Sequence, residues 1–339
     1  MSIALAITAL VSTWLATATS HGDDLEVSVY SARHYDVDRQ LYERFTEATG
    51  IRVNVVSGKS DELLARLEQE ANLSPADLFI TVDAGRLYRA EQRGVFQPHD
   101  STTLNARVPD ELRHPDDLWI GLTRRARVIV ASVDRVEAGV RLSYEDLVRP
   151  EWRGRVVIRS SSNIYNQSLV ASMIEHAGPE AAEDWSRGLV ANLARKPQGG
   201  DRDQIRAVAA GEGDVAIVNQ YYLAQMMLGS SADREAASQV RVIFPNQDGR
   251  GTHVNISGAG LTRHAPNRDN AVRLLEFLLS DEAQRTLAEG TQEYPVVPGV
   301  ILSPILANWG PFKADLINAS MLGANNPEAV RVMDRAGWR

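Results

Sequence analysis

The sequence predicts an α/β protein of two lobes, each a mostly parallel sheet flanked by helices, joined by a two-strand hinge. Three observations carry this. A chain of 339 residues exceeds what one core of ordinary size encloses. From Leu25 onward, apolar runs of strand length alternate with amphipathic helical stretches, which is the pattern of β-α-β units. No low-complexity linker divides the chain, so the lobes are expected to be joined by strands that pass from one to the other.

The elements follow in order. Residues 26–30 are a strand. Residues 36–49 are a helix with Val37, Leu41, Phe45 and Ala48 on one face and Gly50 as its stop. A strand over 51–56, a helix over 61–72 and a buried strand over 77–82 come next, then a short helix ending at Gly94. A second series follows the stretch 119–130. It has a strand over 155–159, helices over 164–176, 181–195 and 203–210, a buried strand over 214–219 and a helix from Tyr221. Strands over 240–244 and 253–261 and an amphipathic helix over 270–280 precede a helical, loop-rich end. The crossings are expected at 126–132 and 242–247, a hinge that permits closure around a ligand. This places lobe 1 over 23–125, lobe 2 over 126–243, and a return to lobe 1 with the C-terminal helices over 244–339.

Residues 1–22 (MSIALAITALVSTWLATATSHG) contain no charge. Their apolar part, 3–18, is short for a bilayer span, and Ala16-Thr17-Ala18 offers a cleavage site. The expectation is a signal peptide over 1–22 and a periplasmic protein. An uncleaved anchor is the alternative, because no Lys or Arg precedes the apolar stretch. The chain has no cysteine, which excludes disulfides, thiolate metal sites and cysteine nucleophiles. A net charge of -8, well mixed along the chain, argues against a nucleic-acid partner. There is no G-x-S-x-G, phosphate-binding loop, H-E-x-x-H or dinucleotide glycine motif, so an enzyme is not expected.

In open α/β sheets ligands bind beyond the carboxyl ends of the strands. The turn after the first strand carries Arg33, His34 and Tyr35. The turn after 155–159 reads S-S-S-N-I-Y-N and carries Tyr165. The turn after 214–219 reads N-Q-Y-Y and carries Tyr221 and Tyr222. Four of nine tyrosines and one of seven histidines thus fall at the expected cleft, from both lobes. One tyrosine at a helix start is ordinarily a packing residue. Four beside a histidine suit ferric iron, a hard cation that favours anionic oxygen such as phenolate. With a phenol pKa near ~10, such binding displaces protons. The competing reading is a binding protein for an oxyanion or small organic solute, held by helix N-termini and the S-S-S-N turn.

The stretches V-Y-S-A-R-H-Y-D (29–36), A-D-L-F-I-T-V-D-A-G-R-L (76–87), R-P-E-W-R-G-R-V (149–156) and N-Q-Y-Y (219–222) resemble the periplasmic ferric-iron-binding proteins of ABC importers, the bacterial transferrins. The resemblance runs from about Leu25 to the end of the chain. It implies a type II periplasmic-binding fold and a ferric ion (Fe3+) as transported ligand. It also implies iron ligands at His34, Tyr35, Tyr165, Tyr221 and Tyr222. The implied partners are the permease and ATPase of an ABC importer, with the binding protein a monomer. Arg33, Arg124 and Arg125 are candidates to hold an anion or to balance phenolate charge.

Overall fold

The computed structural model describes residues 25–33 and 35–339; the expected leader and His34 lie outside the described residues. Among the described residues ten strands are formed: β1 Glu26–Ser31, β2 Arg52–Ser57, β3 Leu78–Val82, β4 Phe96–Gln97, β5 Ile120–Ser132, β6 Val156–Val157, β7 Val215–Asn219, β8 Val240–Ile243, β9 Val254–Thr262 and β10 Tyr294–Pro295. The first lobe orders its main strands β2-β1-β3-β9-β5. Strand β1 pairs parallel with β2 and β3, with Tyr30 opposite both Val56 and Phe79. In the second lobe β6 and β7 are parallel. The pairs joined by helical crossovers are therefore parallel, as such connections require. The crossing strands β5 and β9 run antiparallel to their neighbours, which makes both sheets mixed.

Strand β5 builds the connection. Its residues up to Ala126 pair with β9 in one sheet, while Arg127–Ala131 pair with β7 in the other. One strand thus serves both lobes. Its second half is apolar on both faces because helices cover both sides of that sheet. Ile129 and Ala131 enter one core with Leu169, Leu189 and Ile217. Val128 and Val130 enter the opposite core with Ile205, Val208 and Val218, following the period of two. The second crossing is the segment between β8 and β9.

The stretches read as helices over 164–176 and 181–195 form Ile164–Ala191, interrupted at Gly178 (φ 85°) before Pro179. Proline lacks the amide proton that would continue the ladder, so the chain kinks there. The C-terminal residues tie the lobes together. Helix Ala319–Ala324 packs on Ala84–Gln92 of the first lobe and on Ile164–Ala191 of the second, where helix Asn326–Arg335 also docks. Trp338 completes that core beside Trp185, with ring centroids 6.1 Å apart.

Candidate metal centre

Each tyrosine singled out in the sequence stands where a strand hands over to a helix. Tyr35 is the extended residue (φ -97°, ψ 134°) immediately before helix Asp36–Thr49. Tyr165 is the second residue of Ile164–Ala191, and the Asn163 side chain accepts from its amide at 3.1 Å. Tyr221 and Tyr222 are the second and third residues of helix Gln220–Leu228, which starts directly after β7. That helix start is pinned by Gln220. Its Oε1 accepts from the Ala126 amide at 2.9 Å, at the point where β5 changes sheets. Its Nε2 donates to the Gln292 carbonyl at 3.0 Å. Helix N-termini at these turns favour negative charge on the groups they carry.

Guanidinium groups surround the rings. The Tyr221 and Tyr222 ring centroids lie 4.2 Å apart, with an interplanar angle of 32°. The Arg125 guanidinium carbon is 5.6 Å from the Tyr221 centroid and 5.8 Å from that of Tyr165. Tyr165 also faces Arg127 at 5.9 Å and Arg159 at 5.7 Å. Arg33 sits 5.1 Å from the Tyr35 ring, and Arg202 5.2 Å from that of Tyr222. Arg125 therefore joins Tyr165 and Tyr221, and the phenols of Tyr35 and Tyr165 act on one another electrostatically.

Beneath the rings lies a buried ionic chain. The Tyr35 hydroxyl donates to Glu293 Oε1 at 3.2 Å. Glu293, fully buried, also accepts from the Thr123 hydroxyl and has the Arg125 Nη2 at 3.5 Å. Arg33 grips Asp38 with two bonds of 3.0 Å and donates to Thr123 Oγ1 at 3.1 Å. Burial works against charge on Arg33 and Arg125. The anionic neighbours Asp38 and Glu293 at Arg33, and Glu293 at Arg125, outweigh it, so both stay cationic. Arg125 also donates to the Ser257 hydroxyl, but its Nε and Nη1 are buried without a partner.

The phenols respond in the opposite sense. Burial pushes Tyr222 up to about 12 and raises Tyr35 and Tyr221 well above the usual phenol range. The charge of Glu293 adds to the effect at Tyr35, and the neighbouring phenols add to it at Tyr221. These three hydroxyls are protonated at neutral pH. A bound cation reverses this, because it is then the largest local charge and stabilises phenolates. Among the described residues no group of three or more His, Asp or Glu is arranged to hold a metal.

Arg33 and Arg125 lie at the tyrosines; Arg124 does not. Successive side chains of β5 face opposite sides, and Arg124 turns toward Tyr294, 5.9 Å from its ring centroid. Of the first-lobe carboxylates, Asp61 sits at the rim beside Arg89 at 3.4 Å. Asp83 is a structural bridge between lobes, accepting from Ser168 at 2.7 Å and Asn255 at 2.9 Å. Sequence reasoning missed Glu293, which lies 258 residues from Tyr35 and carried no local signal. It also missed Arg127, which holds Asp201 at 3.0 Å, Asn219 at 3.1 Å and Asn166 at 2.6 Å. Asp201 is buried, and its other cation, Arg159, is 3.4 Å away. Removing one partner from a buried pair leaves an uncompensated charge. Arg127→Ala should therefore lower the unfolding free energy by ~3–5 kcal/mol in urea denaturation. A loss below ~1 kcal/mol would mean that Arg159 or water compensates.

A family model described as bacterial extracellular solute-binding protein matches residues 74–309. The chain belongs to that family. This solute-binding protein is 48% identical over 323 residues to iron uptake protein A1 of Synechocystis sp., covering 95% of this chain and 90% of that one. Its fold matches the Trichodesmium IdiA (FutA) structure in complex with iron and citrate, with a TM-score of 0.91 and 50% identity over 93% of this chain and 100% of that one. The ferric binding protein of Campylobacter jejuni matches with a TM-score of 0.86 and 40% identity over 92% and 100%. The two-lobed architecture is that of periplasmic binding proteins.

Proposed function

We propose that this protein captures one ferric ion between its lobes and delivers it to the permease and ATPase of an ABC importer. It works in the periplasm, as a monomer, by binding and transfer and not by catalysis. The ligands are the phenolates of Tyr35, Tyr165, Tyr221 and Tyr222, with His34 as a neutral fifth. The observation that carries this reading is the convergence of Tyr35, Tyr165 and Tyr221, from both lobes, on buried Arg125, with Tyr222 packed against Tyr221. Four phenolates around a trivalent ion leave one surplus negative charge, which a buried guanidinium offsets. Relatives described as iron uptake and ferric binding proteins, one of them holding iron and citrate, support the same ligand.

Ligands drawn from both lobes make closure the form that iron prefers. Metal-stripped protein given ferric citrate and dialysed should retain one iron per chain. Small-angle scattering should then give a smaller radius of gyration than for the stripped protein. Retention of no iron refutes the reading. Coincident scattering profiles would refute closure.

A further inference from the structure

The three phenols of the second lobe stand on two separate helices. Tyr165 follows the turn over 158–163, and Tyr221 and Tyr222 lie at the start of the helix after β7. The strands beneath these turns give little register, since β6 pairs with β7 over two residues only. A metal site needs its donors held to a fraction of an ångström by the groups around them, so something else must fix one turn against the other.

Arg127 is placed to do so. It lies on β5 opposite Asn219 of β7, the residue that precedes the Tyr221–Tyr222 helix. Its Nη1 donates to Asn219 Oδ1 at 3.1 Å and to Asp201 Oδ1 at 3.0 Å, and its Nη2 donates to Asn166 Oδ1 at 2.6 Å. Asn166 directly follows Tyr165. Its own Nδ2 reaches back to the carbonyls of Arg159 at 3.0 Å and Ser160 at 3.1 Å, which closes the Tyr165 turn. Asp201 opens helix Asp201–Ala209, whose Arg202 donates to Gln225 Oε1 at 2.6 Å and faces the Tyr222 ring. One planar fork thus ties three turns together, and Arg127, Asn166, Asn219 and Asp201 are all buried. The backbone of Arg127 is itself clamped. Its amide donates to the His253 carbonyl at 2.9 Å, and its carbonyl accepts from the Tyr144 hydroxyl at 2.5 Å.

We infer that Arg127 is a positioning residue for ferric capture: its guanidinium sets Tyr165 against the Tyr221–Tyr222 pair, so that the second lobe presents three phenols in one fixed geometry. The inference rests on the reading of the tyrosines as the iron site. It goes beyond the stability that the Arg127–Asp201 pair gives the fold, because two of the three acceptors, Asn166 and Asn219, are neutral and stand within two residues of a tyrosine. Asp201 also has Arg159 at 3.4 Å, so its charge does not depend on the shape of the group at 127. A lysine at 127 keeps the charge, but its compact ammonium lacks the planar fork that spans three acceptors. The two roles of Arg127 therefore separate. Charge at 127 supports the fold, and the fork supports the geometry of the phenols.

The test compares wild type with Arg127→Lys, with the double variant Asn166→Ala/Asn219→Ala, and with that double variant carrying Arg127→Lys as well. Ferric affinity is measured by competition titration, the iron–phenolate band at saturating iron, and the unfolding temperature in parallel. Leu104→Ala, a change in the first-lobe core, controls for lost stability. Arg127→Lys should weaken ferric binding about ten- to a hundredfold, the scale of a group that orients metal ligands, and should move the band. The control should lower the unfolding temperature and leave affinity and band as in wild type. Adding Arg127→Lys to the asparagine pair should cost less than about threefold more, because the groups it acts through are already gone. Wild-type affinity and band in Arg127→Lys, or in the asparagine pair should the lysine variant not fold, overturns the inference and leaves Arg127 a structural residue. So does a loss in the triple variant that equals the sum of its parts. If wild type shows the band and the variants match it, this inference fails and the iron site stands; if wild type shows no band, the iron site fails and this inference with it.

Discussion

Tyr221→Phe is expected to weaken ferric binding by about a hundredfold or more, beyond the 10–100-fold typical of a group that merely orients a metal ligand. Tyr165→Phe, Tyr222→Phe and Tyr35→Phe should behave alike, and each should cost more than His34→Ala. The reason is charge. Each phenylalanine removes both a bond and a negative charge facing a trivalent ion, whereas alanine at 34 removes a neutral donor that water replaces. Tyr35→Phe carries an added effect, because it deprives the buried Glu293 of a hydrogen bond and leaves it to Thr123 and Arg125. Competition against citrate at one pH and one salt concentration ranks the five variants. His34→Ala as the most damaging change would overturn the charge argument. Wild-type affinity in two or more of the tyrosine variants would overturn the site.

The second large effect is that of pH on affinity. Burial pushes Tyr222 up to about 12 and raises Tyr35 and Tyr221 well above the usual phenol range, so their protons are bound in the metal-free protein throughout the neutral range. A raised pKa favours the protonated form, which is the form that cannot ligate. Iron binding therefore releases these protons, and affinity rises with pH. Each proton displaced contributes about one decade per pH unit, so these three phenols alone give a slope of about three. The slope should persist well above neutrality, since the free groups do not ionise there. Carboxylate ligands, with pKa values near ~4, would give a flat profile from about pH 6 upward. A pH-independent affinity in that range would contradict phenolate ligation.

Much of the tyrosine cluster was legible in the sequence because its phenols lie at strand-to-helix turns. Alternating apolar runs located β1, β7 and the helices that follow them. Tyr35, Tyr221 and Tyr222 then fell at the cleft by the geometry of α/β sheets. Tyr165 was placed in the same way, although its strand proved to be only Val156–Val157. The supports of these residues were not legible. Arg125 and Arg124 are neighbours on one strand, and only the phase of β5 decides that the first faces the tyrosines and the second faces Tyr294. Glu293 reaches Tyr35 only because β10 pairs with β5, a contact between segments far apart in the chain. The two helices expected over 164–176 and 181–195 were legible because Gly178-Pro179 is a strong local stop, and the chain does break there, at a positive φ of 85°, although the second helix ends at Ala191.

The most direct measurement is the visible spectrum of metal-stripped protein during titration with ferric iron. Phenolate-to-ferric charge transfer should produce a band that grows linearly and stops at one equivalent per chain, and Tyr221→Phe or Tyr222→Phe should alter its position and intensity. A protein that stays colourless through one equivalent, or takes up iron with no such band, would contradict tyrosinate capture of ferric iron.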